Sequence, residues 1–181
     1  MLEKEIKILL TKEEHDKLEK AFDFHSEIKQ VNNYYRSEEC AERRISVRVR
    51  EVSGKCLLQV KLPVSDKGSL AVREEIEREL VCVPETIGSG LLKEICGVEA
   101  EAVLVGSLAT VRKLCYDYEG IELALDENDY LGVKDYELEA EYTGEYPAAL
   151  IESIKALGID TEKPACGKYS RFLSRLDAAN A

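Results

Sequence analysis

Charged and apolar residues alternate one by one in several short segments of this sequence, and that alternation limits the fold more than any other feature. In residues 44–51 (RISVRVRE), isoleucine and valine occupy one parity while serine and arginine occupy the other. In residues 135–142 (DYELEAEY), acidic residues alternate with tyrosine, leucine and alanine. Because successive side chains of a β-strand point to opposite faces, each segment predicts a strand with one apolar and one charged face.

Other segments extend this prediction to a chain rich in strands. Strands are predicted at residues 3–7, 30–37, 55–62, 70–83, 109–118 and 121–126. Residues 70–83 are heavily charged for a strand, so a helix is the alternative there. Helices are predicted from Lys12 after the capping box Thr11-Lys12-Glu13-Glu14, from Pro84 to Gly97, from Pro147 to Leu157 and from Lys168 to Leu176. Turns are predicted at Ser53-Gly54 and at Ser65-Asp66-Lys67-Gly68.

The order of these elements predicts an α+β fold whose sheet is mainly antiparallel. No repeating strand–helix–strand rhythm occurs, and such a rhythm is typical of parallel sheets. Two arrangements remain open from the pattern alone: a one-sided sheet with its charges in water, or a closed barrel whose charged face points outward or inward. An inward charged face is costly unless charges of both signs pair, metal ions bind, or water or a ligand fills the interior.

Length and charge exclude several classes of protein. The 181 residues fit a single domain over residues 1–181, and 45% hydrophobic with 34% charged residues is ordinary for a folded soluble protein. The net charge of -11 argues against general binding to nucleic acids or to anionic membranes, because both select basic surfaces. No apolar run approaches the roughly 20 residues that span a bilayer.

The cysteines and histidines indicate no metal centre of their own. The six cysteines are scattered, without a Cys-x-x-Cys motif or a cluster with histidine, so the sequence offers little support for zinc. No signal peptide precedes the first strand, and reduced cysteines in a cytoplasmic protein are expected. His15 and His25, which are the only histidines, are interpreted as structural or surface residues.

The charged faces of the predicted strands carry both signs, which suits the binding of metal ions and anions. In the first strand Glu3, Glu5 and Lys7 share one face, where carboxylates suit a divalent metal and the ammonium suits an anionic oxygen. The alternative is the water-facing side of an ordinary antiparallel strand. The pattern recurs along the chain, with cations at Lys7, Arg48, Arg50, Lys61 and Arg112 and carboxylates at Glu3, Glu5, Glu75, Glu77, Asp126, Glu137 and Glu139.

Several of these residues form motifs that follow one another in a recognisable order. They are Glu-x-Glu-x-Lys at residues 3–7, Arg-x-Arg at 48–50, Lys-x-Pro at 61–63, Glu-x-Glu at 75–77 and 137–139, Thr-x-Arg at 110–112, Asp126 at the end of a strand, and Lys168-Tyr169. With these motifs the chain resembles, over nearly its whole length, the CYTH superfamily of triphosphate tunnel metalloenzymes. That superfamily groups class IV adenylate cyclases, thiamine triphosphatases and inorganic triphosphatases.

The resemblance implies both a fold and a site. The family fold is a closed eight-stranded antiparallel β-barrel, flanked by amphipathic helices, that forms a tunnel with a charged interior. By resemblance, the phosphate-binding residues are Lys7, Arg48, Arg50, Lys61, Arg112 and Lys168. The implied Mg²⁺ or Mn²⁺ ligands are Glu3, Glu5, Glu137 and Glu139 as first choices, then Glu75, Glu77 and Asp126, and the implied catalytic residues are Glu3, Glu5 and Lys7. Arginine binds phosphate bidentately and carboxylates are preferred ligands of both ions, so the residue types suit the chemistry.

The function implied by the resemblance is metal-dependent hydrolysis of inorganic tripolyphosphate or a small organic triphosphate, by attack of a metal-activated water on the terminal phosphorus. The alternatives are a class IV-type adenylate cyclase, which converts ATP to cyclic AMP and pyrophosphate, and a non-catalytic module that binds polyphosphate or nucleotide. The expected partner is the small-molecule substrate, and a homodimer is compatible with the sequence. Arg36 departs from the family pattern, in which an aspartate often follows the aromatic pair of the second strand.

Overall fold

Nine strands dominate the computed structural model of the protein, which describes residues 2–67, 70–163 and 165–180. Side chains are described throughout these ranges except at residues 2–3 and 64–73. The strands of the described chain are β1 (Leu2–Leu10), β2 (Ser26–Arg36), β3 (Ser46–Val52), β4 (Lys55–Lys67), β5 (Leu70–Leu80), β6 (Thr86–Ile87), β7 (Ala102–Cys115), β8 (Ile121–Tyr130) and β9 (Val133–Tyr142).

The described chain contains five helices, and local capping groups set some of their ends. They are α1 (Lys12–Ala21), α2 (Glu38–Glu42), α3 (Ser89–Cys96), α4 (Ala148–Ala156) and α5 (Lys168–Ala179). The predicted capping box is confirmed: the Glu14 N–H donates to the Thr11 hydroxyl and the Thr11 N–H donates to the Glu14 carboxylate. Helix α3 ends as predicted at Gly97, whose φ of 68° a glycine adopts without strain. Within the described residues, no helix combines the length and the apolar composition needed to span a membrane.

The strands pair in the order β2-β3-β4-β5-β1-β9-β8-β7-β6. Two-residue turns join β3 to β4 through Ser53-Gly54 and β8 to β9 through Leu131-Gly132, and both residues of each turn have positive φ. Strand β2 also pairs with β7. The predicted α+β class with a mainly antiparallel sheet is confirmed.

The described chain groups into two compact units. Unit 1 contains Lys29–Ala109 and the first residues of β1, whereas unit 2 contains Lys4–Ile28 and the residues from Thr110 onward. Strands β1, β2 and β7 each continue from one unit into the other. The single domain expected over residues 1–181 stays a prediction.

Each unit has its own hydrophobic core, built from the apolar faces of the alternating strands. In unit 1, Val47 of β3 belongs to a buried cluster with Leu92 of α3. In unit 2, Ile8 of β1 and Leu138 of β9 belong to a buried cluster with Ile154 of α4. Because burying apolar side chains is the main stabilising contribution to folding, the apolar parity of each strand turns towards the helices. The charged parity is left on the opposite face, as the alternation predicts.

Two helix predictions are changed by strand pairing. Residues 70–80 form a strand rather than the alternative helix, because β5 pairs along its length with β4. Helix α3 begins at Ser89 rather than at Pro84, because Thr86–Ile87 pair with β7. The hydroxyl of Tyr35 also donates a 2.5 Å hydrogen bond to the Pro84 carbonyl, which holds this segment outside a helix.

Pairing also lengthens several strands beyond their predicted ends. The turn predicted at residues 65–68 is wrong at its start, because β4 remains paired with β5 as far as Lys67, and residues 68–69 lie outside the described chain. Strand β7 begins at Ala102 rather than at residue 109, and β8 continues to Tyr130 rather than ending at residue 126. Neither extension follows a clean alternation, so the tertiary pairing decides it.

Candidate functional site

In unit 2, strand register brings the charged faces of β1, β8 and β9 together. Lys7 of β1 lies directly opposite Glu139 of β9, and Asp126 of β8 lies directly opposite Glu137. Side chains at directly paired positions of neighbouring strands point to the same face. Since β9 lies between β1 and β8, its alternate glutamates can meet side chains from both neighbours.

Asp126, Glu137 and Glu139 are all buried, and we call them the carboxylate cluster. One oxygen from each residue lies within 4.8 Å of one from each of the others. The exposed fraction of Asp126 and of Glu137 is 0%. Like charges buried this close together are unfavourable unless cations or metal ions compensate them.

Lys7, Arg112 and Lys168 supply positive charge to the carboxylate cluster. Arg112 of β7 donates two hydrogen bonds to Asp126, at 2.9 and 2.7 Å, and also contacts Glu139. The Lys7 ammonium lies 2.9 Å from a Glu139 oxygen. Lys168, the first residue of α5, contacts every member of the cluster, including Asp126 at 2.7 Å. The carboxylates are therefore buried as part of a two-sign network.

The network shifts the pKa values of its cations. Burial lowers the pKa of Lys7, but the charges of Glu139 and Glu5 outweigh that effect and raise this pKa above its ordinary value. The pKa of Arg112 is likewise raised, because its carboxylate partners outweigh its burial. Complete burial lowers the pKa of Lys168 well below its ordinary value, although a neighbouring carboxylate opposes this.

Arg171 and Asp135, which lie outside the carboxylate cluster, form a network of contacts that includes Glu137. Arg171 donates hydrogen bonds to both oxygens of Asp135, at 2.8 and 3.1 Å, and its guanidinium lies 2.8 Å from Glu137. The Tyr130 hydroxyl and the Asn128 amide donate to the same Asp135 carboxylate, at 2.7 and 2.9 Å. Arg171 therefore bridges two carboxylates, one inside the cluster and one outside it.

The sequence motifs do not include Arg171, Asp135 or Tyr130. Burial raises the pKa of Asp135, but its hydrogen bonds with Arg171 and Tyr130 outweigh burial and lower that pKa. Burial raises the pKa of Tyr130 to about 12. One signal was present in the sequence, because Lys168 and Arg171 are three residues apart and residues at that spacing share a helix face.

The donor chemistry of the carboxylate cluster fits a divalent cation such as Mg²⁺ or Mn²⁺. Both ions prefer oxygen ligands, and carboxylates supply them with charge compensation. Glu5, on the same face of β1 as Lys7, pairs with it at 3.4 Å and adds a further carboxylate to this region. Oxygen donors, burial and convergence from neighbouring strands together make the cluster a candidate metal site.

In unit 1, the predicted cations Arg48, Arg50 and Lys61 lie on β3 and β4, and we call them the cation row. Arg48 donates a 2.8 Å hydrogen bond from Nε to Gln59, which lies directly opposite it. Arg50 donates from Nε to the buried Asn32 of β2 at 3.2 Å. These neutral amides orient the guanidiniums, and Arg48 Nη2 also lies 3.8 Å from a Glu75 oxygen.

Two of the four glutamates of β5, Glu75 and Glu77, lie beside the cation row. Lys61 forms an ion pair of 2.8 Å with Glu75, and Gln59 donates a 2.8 Å hydrogen bond to Glu77. Burial raises the pKa of Glu75, but Lys61 and Arg48 outweigh it and lower that pKa. Glu75 is therefore ionised at neutral pH and balances part of the positive charge of the row.

The structure places the sequence-predicted residues in two groups. Unit 2 brings together Glu5, Lys7, Arg112, Asp126, Glu137, Glu139 and Lys168, and unit 1 brings together Arg48, Arg50, Lys61, Glu75 and Glu77. The Glu3 backbone pairs with residue 73 of β5, but its side chain lies outside the described residues. Arg36, at the end of β2, is exposed. The roles of these residues stay predictions.

Comparison with known families agrees with this arrangement of motifs. The model of the CYTH domain matches residues 1–161. The chain belongs to the CYTH domain family. The match includes strands from both units, so the resemblance seen in the sequence motifs is confirmed. A search of curated proteins gave no significant match.

Solved structures share the CYTH fold with this chain over nearly its whole length. HpAC1 from Hippeastrum, a candidate adenylyl cyclase whose dominant activity is a triphosphatase activity, is 25% identical with a TM-score of 0.74, covering 95% of each chain. A candidate adenylate cyclase from Bacillus halodurans is 25% identical with a TM-score of 0.71, covering 94% of this chain and 96% of that one. The PH1819 protein of Pyrococcus horikoshii, 19% identical with a TM-score of 0.64 and 99% coverage of both chains, shares the fold.

Proposed function

We propose that this CYTH protein is a metal-dependent triphosphatase that hydrolyses inorganic tripolyphosphate or a small organic triphosphate and releases the terminal phosphate. The observation that carries the proposal is the carboxylate cluster, in which buried oxygen donors converge among lysine and arginine side chains. Phosphoryl transfer depends mainly on positioning and charge stabilisation, and this mixture of groups suits both. The dominant triphosphatase activity of the Hippeastrum relative supports the same reaction.

In this proposal the carboxylate cluster and Glu5 bind Mg²⁺ or Mn²⁺, with Glu3 as a further predicted ligand. When bound, such an ion neutralises phosphate charge and lowers the pKa of a water molecule. Arg171 keeps Glu137 in position through their 2.8 Å contact. Lys7, held between Glu5 and Glu139, donates hydrogen bonds to a phosphate oxygen.

The remaining predicted cations bind phosphate oxygens. Arg48 and Arg50 are oriented through Nε by neutral amides, Arg48 Nη2 also lies 3.8 Å from Glu75, and the planar guanidinium fork matches the geometry of phosphate oxygens. Arg112 donates to its carboxylate partners through Nε and Nη2, which leaves the donors on Nη1 for phosphate. Lysine adds a compact charge at Lys61 and Lys168.

A second function, adenylate cyclisation, is favoured by the description of the Bacillus halodurans relative as a candidate adenylate cyclase. The same metal and phosphate ligands serve both reactions, but cyclisation needs the 3′-hydroxyl of ATP as the nucleophile and produces cyclic AMP with pyrophosphate. A module that only binds triphosphate would give neither product.

The test is a product assay on purified protein with tripolyphosphate and with ATP, each in Mg²⁺ or Mn²⁺, following orthophosphate, pyrophosphate and cyclic AMP together. We expect orthophosphate without cyclic AMP. Cyclic AMP with pyrophosphate would assign the cyclase reaction instead. Tight triphosphate binding without any product would assign the binding module.

Matched variants connect the activity to the proposed residues. Asp126→Asn should lower kcat by at least about 100-fold, on the order of the loss seen when a charge-stabilising group is removed from a site. Glu127→Gln is the control, because Glu127 follows on the same strand but pairs with the exposed Lys134. Arg48→Ala should raise KM at least about tenfold, whereas Arg78→Ala, which breaks an exposed pair with Glu94, should leave it unchanged. Equal effects in variant and control would contradict these assignments.

A further inference from the structure

A second group of metal-binding side chains lies in unit 2, away from the motifs. His25 lies between α1 and β2, Cys115 is the last residue of β7, and Asp117 follows in the loop to β8. The backbone N–H of His25 donates a 2.9 Å hydrogen bond to the Leu114 carbonyl, which attaches the α1–β2 connection to the end of β7. Residues that are 90 positions apart in sequence therefore meet, and we call His25, Cys115 and Asp117 the mixed-donor cluster.

The mixed-donor cluster already has the separations of a compact site. His25 Nε2 lies 2.6 Å from Asp117 Oδ1, and Cys115 Sγ lies 3.6 Å from Asp117 Oδ2. One donor atom from each of the three residues lies within 4.8 Å of the other two. Asp23 adds a carboxylate oxygen 4.0 Å from the other imidazole nitrogen, Nδ1.

These distances can be compared with those of a tetrahedral zinc site. Bonds of about 2.0 Å to nitrogen or oxygen and about 2.3 Å to sulfur place neighbouring donor atoms about 3.3 to 3.5 Å apart. The separation of 3.6 Å between Cys115 Sγ and Asp117 Oδ2 nearly meets this already, whereas His25 Nε2 lies against the other carboxylate oxygen, Oδ1. The nitrogen–oxygen separation has to widen by less than an ångström, and His25 and Asp117 can move because their side chains are 42% and 49% exposed.

The surroundings provide an entry path and an outer partner. An open surface depression lined by His25, Asp23, Glu19 and Lys113 reaches the imidazole from solvent. Glu19 is paired with Lys113, so Asp23 and Glu27 are the lining residues whose negative charge favours a cation. Zinc-bound histidines usually donate their second ring N–H to a carboxylate, and Asp23 is the residue placed to accept it.

We propose that the mixed-donor cluster binds one Zn²⁺ ion through His25, Cys115 and Asp117, with Asp23 as the outer carboxylate partner of His25. Imidazole, thiolate and carboxylate together suit zinc, whereas the all-oxygen carboxylate cluster suits Mg²⁺ or Mn²⁺. On binding, the Cys115 S–H bond breaks, the thiolate bonds to zinc and the proton goes to solvent. Imidazole must also present an unprotonated nitrogen, so the affinity falls in acid. The site does not depend on triphosphate hydrolysis.

The hydrogen bond from Asp117 raises the pKa of His25, and burial raises the pKa of the Cys115 thiol. Zinc binding displaces protons from thiol and imidazole ligands, and this gives a zinc site a measurable pH dependence.

The experiment titrates the full-length protein with Zn²⁺ alone, and with Co²⁺ as a spectroscopic probe, in excess Mg²⁺ to occupy the all-oxygen site. We expect one equivalent to bind, with proton release and a thiolate-to-cobalt charge-transfer band in the near ultraviolet. Each of His25→Gln, Cys115→Ser and Asp117→Asn should weaken binding at least about tenfold, since even outer-shell partners contribute that much. Cys166→Ser is the matched control that should leave it unchanged, because Cys166 is exposed and lies outside the cluster.

Two results would overturn the proposal. One is the absence of a thiolate band with cobalt, which would mean that Cys115 is only a buried thiol that donates to Asp117. The other is undiminished zinc binding in all three variants, or its loss in the Cys166→Ser control. If Cys115→Ser fails to fold because the thiol is buried in the core, His25→Gln and Asp117→Asn decide the question at exposed positions.

Discussion

Replacing Arg112 with methionine tests whether buried charges in unit 2 hold one another in place. Methionine keeps much of the apolar volume of the side chain but removes both hydrogen bonds to Asp126 and the contact with Glu139. The Asp126 side chain is 0% exposed, so water cannot replace the lost donors without a structural change. We therefore expect a large loss of stability.

The size of the loss follows from the contacts that remain. Removing one partner of a buried ion pair costs about 3–5 kcal/mol. Because Lys168 still lies 2.7 Å from Asp126, the lower end, about 3 kcal/mol, applies here. For a chain of this length each kcal/mol shifts Tm by about 2–4 °C, which gives a decrease of about 6–12 °C.

A bound metal ion should recover part of that loss, because it supplies the positive charge that the variant lacks. At a concentration 100 times its Kd, a ligand that binds only the folded state adds about 2.7 kcal/mol. The assay is thermal and urea unfolding of both proteins, first in chelator and then in Mg²⁺ or Mn²⁺. The variant should gain more stability from the ion than the wild type does.

The control is Lys113→Met, at the next position of β7, where the lysine pairs with Glu19 near the surface. Exposed ion pairs contribute about 0–1 kcal/mol, so this variant should be close to the wild type. A loss for Arg112→Met below about 1 kcal/mol, or one equal to the control, would refute the buried-network reasoning. A loss unaffected by divalent ions would refute the metal assignment of the carboxylate cluster.

Three further predictions concern other parts of the chain. Thr11→Ala removes the capping hydroxyl of α1 and should cost about 1 kcal/mol in urea unfolding, with Thr11→Ser as a control that restores it. The folded pKa of Tyr130 is about 12, above the ordinary value of about 10, so its contribution to stability is complete below pH 10 and declines as pH rises towards 12. Tyr130→Phe should therefore flatten the decline in stability at alkaline pH. Identical curves of stability against pH for the variant and the wild type would contradict this prediction. In Arg171→Lys, the lysine cannot hydrogen-bond both oxygens of Asp135 and also contact Glu137. The metal concentration for half-maximal activity should therefore rise about tenfold. An unchanged metal dependence would show that Arg171 does not position Glu137.

The alternating segments carried most of the fold information. The pattern RISVRVRE was sufficient to predict both β3 and which of its faces is buried, since a side-chain period of two allows only that division. The capping box and the Ser53-Gly54 turn were equally local, because each depends on hydrogen bonds or φ values within a few residues. Where a segment lacked such a pattern, as at the start of β7, pairing with distant strands set the boundary.

The candidate site was also predicted only in part from the sequence. Periodicity placed Glu137 and Glu139 on one face of β9, and it placed Arg48 and Arg50 on one face of β3. The order of the motifs identified the family. Periodicity could not show that the acidic residues are buried, because a charged strand face in water has the same sequence. Burial is decided by register between β1, β8 and β9 and by α5, which brings Lys168 from the far end of the chain.

The amino-acid sequence by itself determined the strands, their apolar and charged faces, the helix caps and the membership of the CYTH family, because these follow from local periodicity and ordered motifs. The tertiary structure alone decided which charges meet. Arg171 reaches Glu137 from α5, and His25 meets Cys115 and Asp117 across the chain. Local spacing indicates only that Arg171 shares a helix face with Lys168, and it shows neither of these contacts. Coulomb interactions and metal coordination depend on distances of a few ångströms, and only the folded chain sets those distances.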